Sequence, residues 1–406
     1  MASVDIQPTA TRLSERPVVQ LLPGRQKRVR AGHPWVYSNE ISMTYETKEL
    51  PPGGLVTLVD NNGGPVGVAT FNSHPLISAR LLTRDIDRTI DVGFFVRRLS
   101  RALALRERLY EAPFYRLVWS EADRVPGLVL DRYGETMVIQ ANTAGIDRLM
   151  PKILEALDDV TAPVNVVLRN DSVGRRLEGL DEQVTVVKGA LDGPLEVIEN
   201  GVRFLCDVAG GQKTGWFFDH RDNRARITAL ASGKRILDLY SYLGGFGIQA
   251  AVAGAEVLAI DRSEPALDLA RRSAELNFVA EKMTLHRGEA FAELTRLGEE
   301  GERFDVVVAD PPAFVKSKRD LKPGLKGYRK LVRLAAGLVS VDGLLFVASC
   351  SYHVDHSTFA ETVRGGLRDA RRGGRILYSG GAGSDHPVHP YLPESAYLKG
   401  LLLQLD

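Results

Sequence analysis

Apolar residues along this chain fall into two rhythms, and the change between them divides it. Up to about residue 90 they come in short runs broken by turn residues. Val18–Leu22 stops at Pro23–Gly24, Pro51–Pro52–Gly53–Gly54 precedes Leu55–Val59, and Asn61–Asn62–Gly63–Gly64 separates that run from Val66–Phe71. Asn-Gly between apolar runs is a hairpin signal, so residues 18–90 predict a small β-barrel, with residues 1–17 a flexible tail. From Asp91 to Glu111 apolar residues recur at helical spacing among arginines. Runs at 117–119, Met137–Ala141 and Val164–Leu168, with helical spacing over 146–157, predict a small central α/β domain at 91–194. Asn200–Gly201 between alternating runs predicts a β-hairpin linker over 195–212.

After residue 213 the runs become continuous, as in strands buried on both faces. They predict strands at Arg235–Leu239, Glu256–Ile260, Met283–His286, Phe304–Ala309, Gly343–Ala348, Arg375–Ser379 and 396–405. Helices are predicted at about 220–231, 245–253, 264–278, 327–340 and 356–371. Seven strands alternating with helices make 213–406 a doubly wound, Rossmann-like sheet of the methyltransferase type, and the chain as a whole α/β. Three of these strands end in groups that can hold or attack a ligand: the loop Tyr240–Gly247, Asp310–Pro311–Pro312, and Cys350. Ligands of open α/β sheets collect at such carboxyl ends.

Composition narrows the class. The 406 residues are 44% hydrophobic and 25% charged with net charge +1, an ordinary globular balance in which a nucleic acid must be met by local patches. No apolar stretch approaches a membrane span, and Met1–Pro17 has no apolar signal core, so a cytoplasmic protein is expected. Two cysteines, Cys206 and Cys350, without metal-like spacing argue against a disulfide framework and a metal site.

The candidate chemistry has alternatives at each position. Gly244, Gly245, Phe246 and Gly247 form a turn without the Gly-x-Gly-x-x-Gly spacing that grips a pyrophosphate, which counts against a dinucleotide cofactor. Asp261, ending the strand after Asp238, can accept two ribose hydroxyls or can cap the next helix, a role Ser263 also suits. Arg262 flanks this place. Glu289 can reach an adenine or be a solvated side chain. The prolines of Asp310–Pro311–Pro312 set a rigid exit from the sheet that can hold Asp310 and Phe314 against a flat substrate. Arg25, Lys27, Arg28 and Arg30, followed by His33, Trp35 and Tyr37, suit phosphate contact and base stacking, or are a charged turn followed by core aromatics. Residues 316–333 hold eight Lys/Arg, Lys316, Lys318 and Arg319 among them, against one acid, which is either an RNA footprint or a solvated loop.

Ile236–Phe246, Asp310–Phe314 and Ala348–Ser351 together resemble the class I S-adenosylmethionine-dependent RNA methyltransferases. The nearest group is the RlmI-type 23S rRNA cytosine-5 methyltransferases. Lys213–Arg224 resembles that group's signature before the first strand of the sheet, and Gly24–Tyr37 resembles the opening of its PUA domain. The resemblance implies an N-terminal PUA RNA-binding domain, S-adenosyl-L-methionine as cofactor and ribosomal RNA as partner. It places Phe217, Asp219, Arg221, Asp238, Tyr240 and Asp310 around the cofactor, and leaves a homodimer open. Two departures are His220, where Gln is usual, and Leu243, where Thr is common. It also implies a role for the thiol. Carbon 5 of cytosine is a weak nucleophile, and a cysteine adding at C6 makes it enamine-like. Cys350 is then the nucleophile, Asp310 holds the N3/N4 edge, and His353, or a water it orders, removes the C5 proton. Without the resemblance Cys350 is equally an inert buried thiol, as Cys206 is expected to be. Competing readings are an exocyclic-amine methyltransferase of adenine or guanine and a non-catalytic RNA-binding factor.

Overall fold

The computed structural model describes residues 16–406, so most of the expected N-terminal tail lies outside the described residues. The N-terminal unit is a five-stranded sheet in the spatial order Val18–Gln20, Gly54–Val59, Pro65–Phe71, Ile77–Thr83, Trp35–Tyr37. Val19, Val36, Leu58 and Phe71 fill its core. The central unit has a second five-stranded sheet, carrying the helices Val92–Leu109 and Ala144–Thr161 over a core that includes Phe95, Leu99, Ile146 and Ile153. Two of its strands, Leu128–Tyr133 and Gln183–Lys188, were not read from the sequence. The latter is an edge strand whose every residue is exposed, so no burial imposes a period on it. The hairpin Leu195–Glu199/Val202–Cys206 turns through Asn200 and Gly201, at φ 53° and 79°, the conformation that makes Asn-Gly so strong a signal.

The C-terminal sheet has seven strands in the order Met283–Arg287, Glu256–Asp261, Arg235–Leu239, Phe304–Ala309, Val339–Ser349, Lys399–Leu405, Gly374–Gly380. Six run in the same direction, and Lys399–Leu405 runs antiparallel to both of its neighbours. The order in which the chain adds strands reverses between Arg235–Leu239 and Phe304–Ala309, the switch point at which sheets of this kind form a ligand crevice. Two helices differ from expectation. Leu321–Leu338 starts six residues before the predicted 327, because Pro323 sits in the first turn, where backbone N–H groups have no helical acceptor. Ala290–Glu299 is additional; its buried stripe is only Ala290, Leu294 and Leu297.

The loop between the last two strands in sequence ties this sheet to the central unit. Asp385 accepts from the Arg116 backbone N–H at 3.0 Å, and its carbonyl accepts from Arg106 at 2.9 Å. Arg116 forms a bidentate pair with the fully buried Asp131, 2.8 Å at each contact, and the Thr214 hydroxyl donates to the same carboxylate at 2.5 Å. No described helix is long and apolar enough to cross a membrane.

Candidate active site

The strand Arg235–Leu239 breaks into a loop held in an uncommon conformation. Tyr240 and Tyr242 have φ of 60° and 50°, and Gly244 has 73°. For a non-glycine residue each such position costs on the order of 1–2 kcal/mol and persists only where its surroundings enforce it. Here Asp261 accepts from the Tyr242 N–H at 2.9 Å, while the Tyr242 hydroxyl donates to the Gly215 carbonyl at 3.1 Å and accepts from the Gln212 N–H at 3.1 Å. The other Asp261 oxygen accepts from the Ser263 N–H at 2.8 Å. Each carboxylate oxygen keeps a lone pair for a ribose hydroxyl. Ser241 Oγ is buried with no hydrogen-bond partner among the described residues, an orphan that a polar ligand would satisfy. Phe217 stands edge-on to Tyr242 with ring centroids 5.3 Å apart. Burial, with Glu289 nearby, raises the Tyr240 phenol, so Glu289 stands beside this loop, exposed like Arg262. A half-buried loop with a free hydroxyl, a carboxylate and two aromatic rings fits the nucleoside end of S-adenosylmethionine.

Four residues expected at the cofactor also make structural contacts. Asp238 is buried and accepts from the Gly247 N–H at 2.9 Å, which clamps the first turn of the helix Gly245–Val252; burial pushes its carboxyl up to about 7. Phe246 packs between His220 and Phe346, with centroids 5.5 Å from each. Gly245 is glycine because a Cβ there would come within 2.6 Å of the Arg224 guanidinium, which pairs with buried Glu199 at 2.8 Å. Arg221 turns away from the crevice: it lies 4.3 Å from the Tyr110 ring centroid and donates to the Phe114 carbonyl, both in the central unit.

Across the crevice the ends of three segments meet. Asp310 accepts from His220 Nε2 at 3.1 Å; the far ring nitrogen, Nδ1, lies 3.1 Å from the Asn223 amide. Although burial opposes it, Asp310 holds the buried His220 imidazole above its usual pKa. Sequence reasoning met His220 only as a departure from the family pattern. Its pairing with Asp310 was not foreseeable, since the two lie on different elements. Cys350 is partly exposed, and the hydroxyls on either side of it are structural. Ser349 donates to the Tyr328 hydroxyl at 3.0 Å, that hydroxyl bonds Ser351 at 2.8 Å, and Ser351 Oγ accepts from the Val315 N–H at 3.1 Å. Lys399, opposite Ser349 on the antiparallel strand, donates to the carbonyls of Ser351 and Tyr397 at 2.6 and 2.7 Å. Burial brings its ammonium down to about 8, while Cys350 works against that shift. Asp219 accepts from the Tyr397 hydroxyl, and Lys213 and His220 hold it low against burial.

The Cys350 thiol is pushed up by burial, then by Asp310 and Asp219, and drawn down by Lys213. Cys350 is therefore held as a thiol at neutral pH. This sets the sign of two effects. Asp310→Asn removes a raising charge and should speed alkylation of Cys350 at pH 8, whereas Lys213→Met should slow it. Each change is expected to be several-fold, because the thiolate fraction sets the alkylation rate. Iodoacetamide labelling followed by mass spectrometry reads this at one site, because Cys206 is fully buried with its thiol pushed far up by burial. Equal labelling rates in both variants and wild type would remove these charges from the thiol's surroundings.

The expected RNA contacts divide. Arg25 and Lys27 are exposed. Arg28 pairs with Glu40 at 2.5 Å and lies over the Tyr37 ring, and the Trp35 indole donates to Glu121 at 2.7 Å, so both side chains knit the N-terminal sheet to its neighbours. Burial, then Glu394, Glu121 and Tyr37, raise the Tyr352 phenol two residues past Cys350. Lys316, Lys318 and Arg319 are exposed on the segment leaving Asp310. His353 is exposed three residues past Cys350.

Comparison with known proteins identifies the domains and the family. A PUA-like domain model matches residues 19–84, and a model described as S-adenosylmethionine-dependent methyltransferase matches residues 162–364. The chain is 37% identical over 394 residues to ribosomal RNA large subunit methyltransferase I of Aeromonas salmonicida, covering 95% of this chain and 98% of that one. It is 36% identical over 388 residues to the protein of the same name from Photobacterium profundum, covering 94% and 98%. Among solved structures, a chain from Streptococcus mutans assigned as a SAM-dependent methyltransferase superposes with a TM-score of 0.80 at 20% identity, covering 96% of this chain and all of that one. A methyltransferase crystallised with S-adenosylhomocysteine superposes at 0.81 and 20% identity, covering 96% and 99%. At that identity the two structures speak to fold.

Proposed function

From a chain that belongs to the S-adenosylmethionine-dependent ribosomal RNA large subunit methyltransferase I family, we propose an enzyme that methylates C5 of a cytosine in large-subunit ribosomal RNA. The observation that carries the choice of atom is a partly exposed Cys350 beside Asp310 at adjacent strand ends of one crevice. Methylation of an exocyclic amine needs no thiol there.

In this reading Asp261, Tyr240, Phe217 and the Ser241 hydroxyl hold S-adenosylmethionine. Bound there, the cofactor supplies an electrophilic methyl group on a sulfonium. The chain's own residues prepare the base to accept it. His220 holds Asp310 so that its carboxyl faces the N3/N4 edge of the cytosine. The Asp310 carboxylate relays the proton of the Cys350 thiol to N3 as the sulfur bonds to C6, leaving C5 electron-rich. After C5 is methylated, a base at the mouth takes the C5 proton; His353 or a water it orders is the candidate. The C6–S bond then breaks, returning the thiolate, and N3 gives back its proton. Asp219 and Tyr397 brace the wall behind the thiol.

In the same reading Arg25, Lys27, Lys316, Lys318 and Arg319, all exposed, contact the RNA backbone. The test is mass spectrometry of nucleosides from large-subunit rRNA incubated with the protein and isotopically labelled S-adenosylmethionine. The expected product is 5-methylcytidine carrying the label. Label in an N-methylated purine, or none in RNA, overturns the reading.

A further inference from the structure

A groove of about 680 Å³ beside the helix Val92–Leu109 is lined by six arginines and a single carboxylate. Arg97, Arg98, Arg101 and Arg108 reach it from the helix, Arg88 from the segment after the N-terminal sheet, and Arg124 from the turn after Phe114–Trp119. At 100° per residue, Arg97, Arg101 and Arg108 fall within about 40° of one another on the helix surface, so they form one row. The carboxylate, Asp123, does not neutralise them: both its oxygens are taken by Arg106, at 2.6 and 2.7 Å. Arg98 lies over the Phe94 ring at 4.0 Å and buries an Nη1 that has no partner among the described residues. Burial first, then Arg124 and Arg97, bring that guanidinium down to about 10. A folded chain that gathers like charges around a partly buried, unsatisfied donor is short of an anion.

The groove's shape says which anion. Arg97 to Arg108 spans about 16 Å of helix axis at 1.5 Å per residue. A single nucleotide would engage only part of that row, whereas a polynucleotide can place successive phosphates along it. Guanidinium groups suit this task, since their planar fork meets phosphate oxygens in pairs. A relay of contacts leads from the segment carrying Asp123 and Arg124 toward Asp219. Trp119, at the end of the strand leading to Asp123 and Arg124, packs on Tyr397 with ring centroids 5.5 Å apart, and Tyr397 donates to Asp219.

We propose that this arginine groove binds the sugar–phosphate backbone of the RNA substrate, anchoring it on the central domain away from the target base. The inference rests on the RNA-methyltransferase reading above.

The test compares wild type with the triple variant Arg97→Gln/Arg101→Gln/Arg108→Gln, all exposed positions, using protein-free large-subunit rRNA. A control variant removes three exposed arginines elsewhere, Arg271, Arg272 and Arg364, to the same net charge. Filter binding across salt concentrations should show log Kd against log salt flattened by about 2 in slope, from about 0.7 per lost phosphate contact. At 0.15 M salt Kd and KM should rise roughly tenfold or more, with kcat, S-adenosylmethionine affinity and Tm close to wild type. The control should keep most of the wild-type slope. An unchanged slope in the groove variant overturns the inference, as does an equal loss in groove and control variants, which would mean net charge alone. Should wild type neither bind nor methylate rRNA, the functional reading itself fails, and that outcome is separate from either of these.

Discussion

Cys350→Ala should abolish turnover, with kcat down by about 10⁴-fold or more while S-adenosylmethionine binding stays within about twofold of wild type. That loss corresponds to about 5.4 kcal/mol of activation free energy at 1.36 kcal/mol per decade. The size follows from the chemistry: without addition at C6, C5 has no electron density to offer a methyl group, and no other thiol can substitute. Cys206, the remaining cysteine, is fully buried. Retention of binding follows from the geometry, because Asp261, Tyr240 and Ser241 stand on the far side of the crevice and make no hydrogen bond to Cys350. Isothermal titration with the cofactor and single-turnover methylation measure the two halves separately. RNA carrying 5-fluorocytosine adds a positive readout. Fluorine at C5 cannot leave as a proton does, so wild type should accumulate a covalent protein–RNA adduct and Cys350→Ala should not. Turnover in Cys350→Ala within tenfold of wild type would sink the nucleophile and favour the exocyclic-amine reading.

The largest stability effect should come from the buried ion pair behind the crevice. Asp131→Ala leaves the Arg116 guanidinium, 8% exposed, with no carboxylate, and removes the acceptor of the Thr214 hydroxyl. Breaking such a pair by deleting one partner costs about 3–5 kcal/mol, because the remaining charge stays buried. Replacing both partners, as Arg116→Met/Asp131→Leu, should recover most of the loss, since the desolvation penalty goes with the charges. Urea denaturation followed by tryptophan fluorescence reads both variants. Asp131→Ala should also lower activity, because Thr214 adjoins Lys213, whose charge acts on Cys350. A loss below about 1 kcal/mol would show that water enters the site and screens the guanidinium.

The site was legible in the sequence wherever its parts are local. Asp261, Asp310 and Cys350 each close an apolar run, and the end of a buried parallel strand is where a doubly wound sheet exposes side chains. Asn200–Gly201 made its hairpin for an equally local reason. Lys399 shows where local reading stops. In sequence it is one lysine before an apolar strand; in the fold, antiparallel pairing sets it opposite Ser349, with its ammonium on the Ser351 carbonyl. Arg221 shows the converse. It stands within the motif that carries the family resemblance, yet its guanidinium serves the interface with Tyr110 and Phe114.

By itself, then, the sequence determined the strands of the C-terminal sheet and the reactive groups at their ends, because periodicity and turn chemistry act over a few residues. Only the tertiary structure decided which of those groups meet: His220 on Asp310, Lys213 and Lys399 near Cys350, and arginines from three segments in one groove. Side-chain identity settles what a residue can do. Its partners and its burial settle what it does, and both are set by contacts between positions far apart in the chain.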